Sequence, residues 1–202
     1  MQLFSSPQCP QCHRVRMVLA EKETQARYAY TDDPQQREDM LVFNPEGTTP
    51  TFNDRGMTLT EPRIIMEYLD DRFPHPPLMP VDPVGKAKAR VWLLEIERRL
   101  YGQLDDLHSP GAKKSAAARE IMRSFLIQVT AELKQRENKK FFTSDSFTLL
   151  DASLAPILWR LKSYKIEMPR SSGPLWKYAR EVYSRPCFQR SLTEVERDLH
   201  LS

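Results

Sequence analysis

Between Glu61 and Pro80 the chain reads EPRIIMEYLDDRFPHPPLMP, and its apolar pattern changes abruptly partway. Ile64, Ile65, Tyr68 and Leu69 fall at the i, i+1, i+4, i+5 spacing of one buried helical face, with Asp70, Asp71 and Arg72 towards the polar side. Pro74, Pro76, Pro77, Pro80 and Pro83 then follow in quick succession. A residue with no backbone N–H and a fixed φ cannot continue a helix, so this one is predicted to stop at about Phe73. The segment after it is stiff and extended, which suits a connection between two packed bodies. The pattern thus predicts a first domain over 1–73, a proline-rich connection over 74–83 and a second domain over 84–202.

Before the prolines the periods alternate. Met1–Ser5 is a short apolar start broken by Ser6-Pro7, and a helix follows from about Pro10 with Val15, Val18 and Leu19 on one face and Arg14, Arg16, Glu21 and Lys22 elsewhere. Ala26–Thr31, with Tyr28 and Tyr30 two apart, suits a strand, and Gln35–Phe43 a short helix. After the Asn44-Pro45-Glu46-Gly47 turn signal, Thr51–Asn53 and Met57–Thr60 form a hairpin closed by Asp54-Arg55-Gly56. The order β-α-β-α-β-β-α implies a four-stranded mixed sheet covered by helices.

Beyond Val84 only helical periods remain. Leu93, Ile96, Leu100, Leu104 and Leu107 predict one long helix from Val84 to His108, and Ile121, Phe125, Val129 and Leu133 a second from Ala112 to Arg136. Thr148-Leu149-Leu150-Asp151 has the form of a reciprocal N-cap, and the apolar helix behind it, through Leu161, is the predicted core of the second domain. Helices near Leu175–Ser184 and Phe188–Leu199 complete an α/β plus all-α architecture.

Charge and composition narrow the function. The net charge of +3 conceals 8 basic against 12 acidic residues in 1–80 and 22 against 15 in 81–202. The basic half has neither zinc-finger spacing nor an aromatic-and-basic RNA-binding motif, so direct nucleic-acid binding is not expected. No secretory signal or membrane-spanning run stands out, and three cysteines do not make a disulfide framework, which points to the cytoplasm. No His/Cys/Asp/Glu group has metal-ligand spacing, so no metal is expected.

Cys9-Pro10-Gln11-Cys12 is the sharpest chemical signal. It lies between a strand and a helix, where helix N-terminal N–H groups stabilise a thiolate and favour thiol–disulfide exchange. Cys187 is isolated and reads as structural. Trp92, Trp159 and Trp176 lie in helices and read as packing residues.

The element order, with Pro50 in Thr49-Pro50-Thr51-Phe52, Glu61 after the hairpin and the Thr148–Asp151 cap, resembles the glutathione transferase fold, a thioredoxin-like domain followed by a helical one. Four blocks, HRVRMVLAEK, RIIMEYLDDRFPHPPLMPV, FTLLDASLAPILWRL and SLTEVERDL, resemble one branch, the stringent starvation protein A family. That resemblance implies a non-catalytic, homodimeric regulator. It binds the RNA polymerase holoenzyme, sigma factor included, in stress or stationary phase through Pro74, His75, Pro76 and Pro77. It also makes Cys9, Pro50, Glu61 and Pro62 remnants of a glutathione site. Pro62 stands where glutathione transferases carry a Ser or Thr that holds the γ-glutamyl carboxylate. Losing such donors costs about 1.5–3 kcal/mol per bond, so no cofactor, glutathione included, is expected. The alternative from the same resemblance is a glutathione- or thiol-dependent oxidoreductase with Cys9 as nucleophile and Cys12 as resolving thiol.

Overall fold

A computed structural model describes residues 1–135 and 139–199. The first strand, β1 (Gln2–Ser5), lies inside the sheet, where Leu3, Phe4 and Ser5 are buried. It pairs in parallel with β2 (Arg27–Tyr30) across the helix α1 (Pro10–Glu21), the crossover that parallel neighbours require. After α2 (Pro34–Phe43), β3 (Thr51–Asp54) runs antiparallel to β1, and β4 (Met57–Leu59) closes the order β2-β1-β3-β4. Arg55 and Gly56 both have positive φ, which a two-residue hairpin loop with native twist needs. The helix α3 (Pro62–Arg72) packs against α1.

The described chain forms two compact units. The first is Met1–Pro77 together with the segment that begins at Pro186; the second is Leu78–Arg185. The break at Pro77 falls inside the predicted connection, but the C-terminal end differs from the predicted 84–202 domain. Two short helices, α9 (Pro186–Ser191) and α10 (Glu194–Asp198), stand where one helix over Phe188–Leu199 was expected. The split has a local cause. Thr193 accepts from the Glu196 N–H at 3.2 Å while the Glu196 carboxylate accepts from the Thr193 N–H at 3.0 Å, a capping box that starts a new helix.

This return segment explains a second departure. Arg14, Arg16 and Lys22, expected off the apolar face of α1, are all buried. With α3 and α9 both packed on it, α1 is covered almost all round. Arg16 Nη2 donates to both Glu196 carboxylate oxygens, at 2.7 and 2.6 Å, while Nε donates to Ser191 O at 2.9 Å and Nη1 to Ser5 Oγ at 2.6 Å. In α3 the buried set is Pro62, Ile65, Met66, Leu69 and Asp70, whereas Ile64 is exposed. The face is therefore turned from the one the pattern marks.

The second unit is helical as expected, with changed boundaries. The long helix is broken into α4 (Pro83–Arg99), a 3-10 turn at Tyr101–Gln103 and α5 (Leu104–Leu107). Gly102 lowers helix propensity at the break, and Tyr101 turns inward to donate to Ser153 O at 2.9 Å. In α6 (Ala112–Gln135) Phe125 and Val129 are buried, but Ile121 is exposed and Met122 and Leu126 take its place. The predicted end at Arg136 lies outside the described residues. The helix α7 (Leu149–Trp159) is buried at every position and forms the expected core. Asp151 on its first turn accepts from Thr148 N and Oγ1, Phe142 N and Tyr178 OH, at 2.8–2.9 Å. The helix α8 (Gly173–Tyr183), which carries Tyr178, also leaves Trp176 exposed, unlike the other two tryptophans.

Candidate functional site

Two features of the first unit stand out, and α1 connects them. At its N-terminus, Cys9 is the N-cap of a helix whose first residue is Pro10. Cys9 is half-buried and Cys12 fully buried, and neither forms a disulfide. The Cys12 thiol hydrogen-bonds the Cys9 sulfur. With the backbone N–H groups of Cys12 and Gln11 and the Arg16 charge, and against the opposing effect of burial, it lowers the Cys9 pKa to about 6. Burial, the bond to Cys9 and the Cys9 charge hold the Cys12 thiol well above its ordinary value. The pair is thus asymmetric, the negative charge being favoured on Cys9 and the proton on Cys12.

The other predicted positions around this point separate into two groups. Pro50 follows a cis peptide bond and leads directly into β3, and its neighbour Thr49 hydrogen-bonds Cys12. Glu61 is the exposed N-cap of α3, and Pro62 is its buried first residue. Neither Glu61 nor Pro62 is among the groups that shift Cys9.

At the other end of α1, Lys22 is the C-cap, and its ammonium group is buried. It donates to Asp70 Oδ1 at 2.7 Å and to the carbonyls of Phe73 and Pro76, each at 2.5 Å. Phe73 caps α3 by bonding back to Leu69 O at 3.0 Å. Pro74, His75, Pro76 and Pro77, the four residues the sequence singles out for partner contact, are all exposed, with a cis bond between His75 and Pro76. The ridge is therefore a loop with its outer side chains in solvent, and one of its backbone carbonyls, Pro76 O, shares a buried cation with the carbonyl of the preceding Phe73. Sequence reasoning placed the ridge but missed Lys22 and Asp70. A lone Lys after a helix has no local signature, and Asp70 sits on what the pattern marks as the polar side.

Among the described residues no cluster of three or more His, Cys, Asp and Glu stands ready for a metal, and no helix is long and apolar enough to cross a membrane.

Comparison with known proteins identifies the scaffold. The glutathione S-transferase N-terminal domain family matches residues 3–77 and the C-terminal domain family residues 96–185. A stringent starvation protein A homolog of Coxiella burnetii is 38% identical over 200 residues, covering 98% of this chain and 94% of that one. The chain belongs to the stringent starvation protein A family. A second member, from Haemophilus influenzae, is 38% identical over 196 residues, with 96% and 91% of the two chains covered. Among solved structures, the bacterial glutathione transferase BphK superposes with a TM-score of 0.84 at 23% identity, covering 98% of this chain and all of that one. The omega-class transferase 3C of Trametes versicolor gives 0.81 at 22% identity, with 96% and 89% covered. At these identities the likeness speaks for the fold. This chain therefore has the glutathione transferase fold, a thioredoxin-like N-terminal part and a helical C-terminal part.

Proposed function

We propose that this chain is an RNA polymerase-associated regulator of transcription, acting without glutathione or another cofactor, and that Pro74–Pro77 is the surface that meets the holoenzyme and its sigma factor. Family membership supports the reading. The observation that carries it is the exposed Pro-His-Pro-Pro ridge held from within by Lys22. Prolines have no side-chain rotamers to freeze, and the buried ammonium already fixes the backbone. Binding at the ridge therefore avoids much of the ordering cost of about 0.5–1.5 kcal/mol per immobilised side chain that a flexible loop bears. His75 supplies an exposed hydrogen-bonding tip between the rings.

Tagged wild-type protein is expected to retain polymerase subunits from a stationary-phase extract, with or without added glutathione. The triple change His75→Ala, Pro76→Ala and Pro77→Ala should lose them, and a circular-dichroism melt run alongside checks that the variant compared is folded. Lys22→Met is expected to weaken retention although it alters no ridge side chain, and to lower stability by about 3 kcal/mol by removing the buried cation shared by Asp70 and the Phe73 and Pro76 carbonyls. Full retention by the triple variant would remove the ridge from the account.

The same reading includes a homodimer. In the second unit Val84, Val91 and Leu94 of α4 are exposed apolar residues available to a second copy. Sedimentation should give twice the 23.6 kDa chain mass at micromolar concentration, and a single-chain mass would rule the dimer out.

A further inference from the structure

We infer that Cys9 and Cys12 form a working dithiol site that exchanges with low-molecular-weight disulfides, a chemistry separate from polymerase association. The argument starts from geometry. The two cysteines lie three residues apart on the first turn of a 12-residue helix, the spacing that brings side chains onto one face. They are unequally placed, Cys9 half-buried at the N-cap and Cys12 buried within the helix. Their thiols share a hydrogen bond, and Thr49 holds Cys12 from the neighbouring loop. A pair serving only to fill the core has no need of one partly accessible member, or of helix N–H groups converging on that sulfur. Cys187 lacks this setting. It is buried in the short helix α9.

The placement orders the reaction. The Cys9 thiolate attacks one sulfur of a small disulfide RSSR, forming Cys9–S–S–R and expelling RS⁻. Burial holds the Cys12 proton most strongly, and consuming the Cys9 anion removes the negative charge that adds to that hold. Cys12 then attacks the Cys9 sulfur, its proton passing to the second RS⁻ as that group leaves, which closes Cys9–S–S–Cys12, while the first RS⁻ takes from water the proton that Cys9 had given up. The protein dithiol loses two electrons, and RSSR gains them as two RSH. A small dithiol reverses the cycle. Nothing in these steps requires the donors that Pro62 lacks, since the attack needs only access to one sulfur.

The test uses the full chain with glutathione disulfide and with hydroxyethyl disulfide, read by intact mass and peptide mapping. Wild type should end as an internal Cys9–Cys12 disulfide without an adduct, returning to dithiol with dithiothreitol. Cys12→Ser should stop at one mixed disulfide on Cys9, and Cys9→Ser should react with neither reagent. At pH 6.5, alkylation of Cys9 by iodoacetamide should run roughly 5–10-fold faster than that of an unperturbed cysteine peptide. A larger thiolate fraction is partly offset by the lower nucleophilicity of a less basic sulfur. Melts of both serine variants, each expected to stay folded, ensure that any loss of reaction belongs to the sulfur removed. Equal reactivity in Cys9→Ser, adducts only on Cys187, or a wild-type chain that stays dithiol with either disulfide would overturn the proposal. Polymerase retention by Cys9→Ser should match wild type, so failure here leaves the ridge untouched, and failure of the ridge leaves the dithiol untouched.

Discussion

Asp151→Ala should destabilise the protein by about 4 kcal/mol or more, a large part of the roughly 5–15 kcal/mol that holds a domain together. The carboxylate is fully buried and accepts four hydrogen bonds, from Thr148 N and Oγ1, Phe142 N and Tyr178 OH. These partners come from the start of α7, the loop before it and α8, so one side chain organises three pieces of the second unit. Burial raises the Asp151 carboxyl pKa, and the four donors offset part of that effect. Alanine leaves all four donors facing a methyl group in the core, at about 1–3 kcal/mol for each that finds no substitute. Asp151→Asn keeps one carbonyl oxygen and should cost roughly half as much. Urea unfolding followed by circular dichroism measures both, and an alanine variant within about 1 kcal/mol of wild type would contradict this role.

The second large effect concerns Arg16. Replacing it with Met takes the guanidinium away from the completely buried Glu196 carboxylate, which keeps the Thr193 N–H and the His13 ring 3.8 Å away, and should cost about 3 kcal/mol. The double change Arg16→Met with Glu196→Leu removes both charges and should recover part of that loss, the remainder being the Thr193 cap and the Arg16 bonds to Ser191 O and Ser5 Oγ. Limited proteolysis supplies a second readout. In the single variant the segment after Pro186 should be cut early, since Arg16 also holds Ser191 O. If single and double variants melt alike, the ion pair is not what fastens the C-terminal segment to the first unit.

How far the residues alone led depends on whether a feature is written in neighbouring positions. The βαβαββα order, the hairpin at Arg55-Gly56, the exposed prolines and the buried helix behind Thr148 were all legible. Each follows from a local period, a turn residue or a cap. The faces of α3 and α6 were misplaced, because Ile64 and Ile121 match a helical stripe as well as Met66 and Met122 do. Only the element packed against the helix decides between them. The break after Arg99 was missed because a sustained leucine repeat outweighs one glycine in any reading by period. The return of the C-terminal segment was hidden for another reason. Arg16 and Glu196 are far apart in sequence, and each reads locally as a surface charge. One signal was available there, since Thr193-x-x-Glu196 has the spacing of a capping box and marks the start of α10. At the candidate sites, the ridge and the Cys9–Cys12 pair were visible as motifs. The anchoring of the ridge by Lys22 was not, because two of its three acceptors are backbone carbonyls that leave no trace in residue type.

The claim on which the proposed regulatory function depends is that the ridge itself contacts the transcription machinery. An equilibrium titration of fluorescently labelled chain with purified RNA polymerase holoenzyme addresses it without other cellular proteins present. Saturable binding by wild type is expected, weakened at least about tenfold in the His75→Ala, Pro76→Ala, Pro77→Ala variant, as loss of a central contact patch requires. Superimposable curves for the two proteins, or no binding by the wild type, would contradict it.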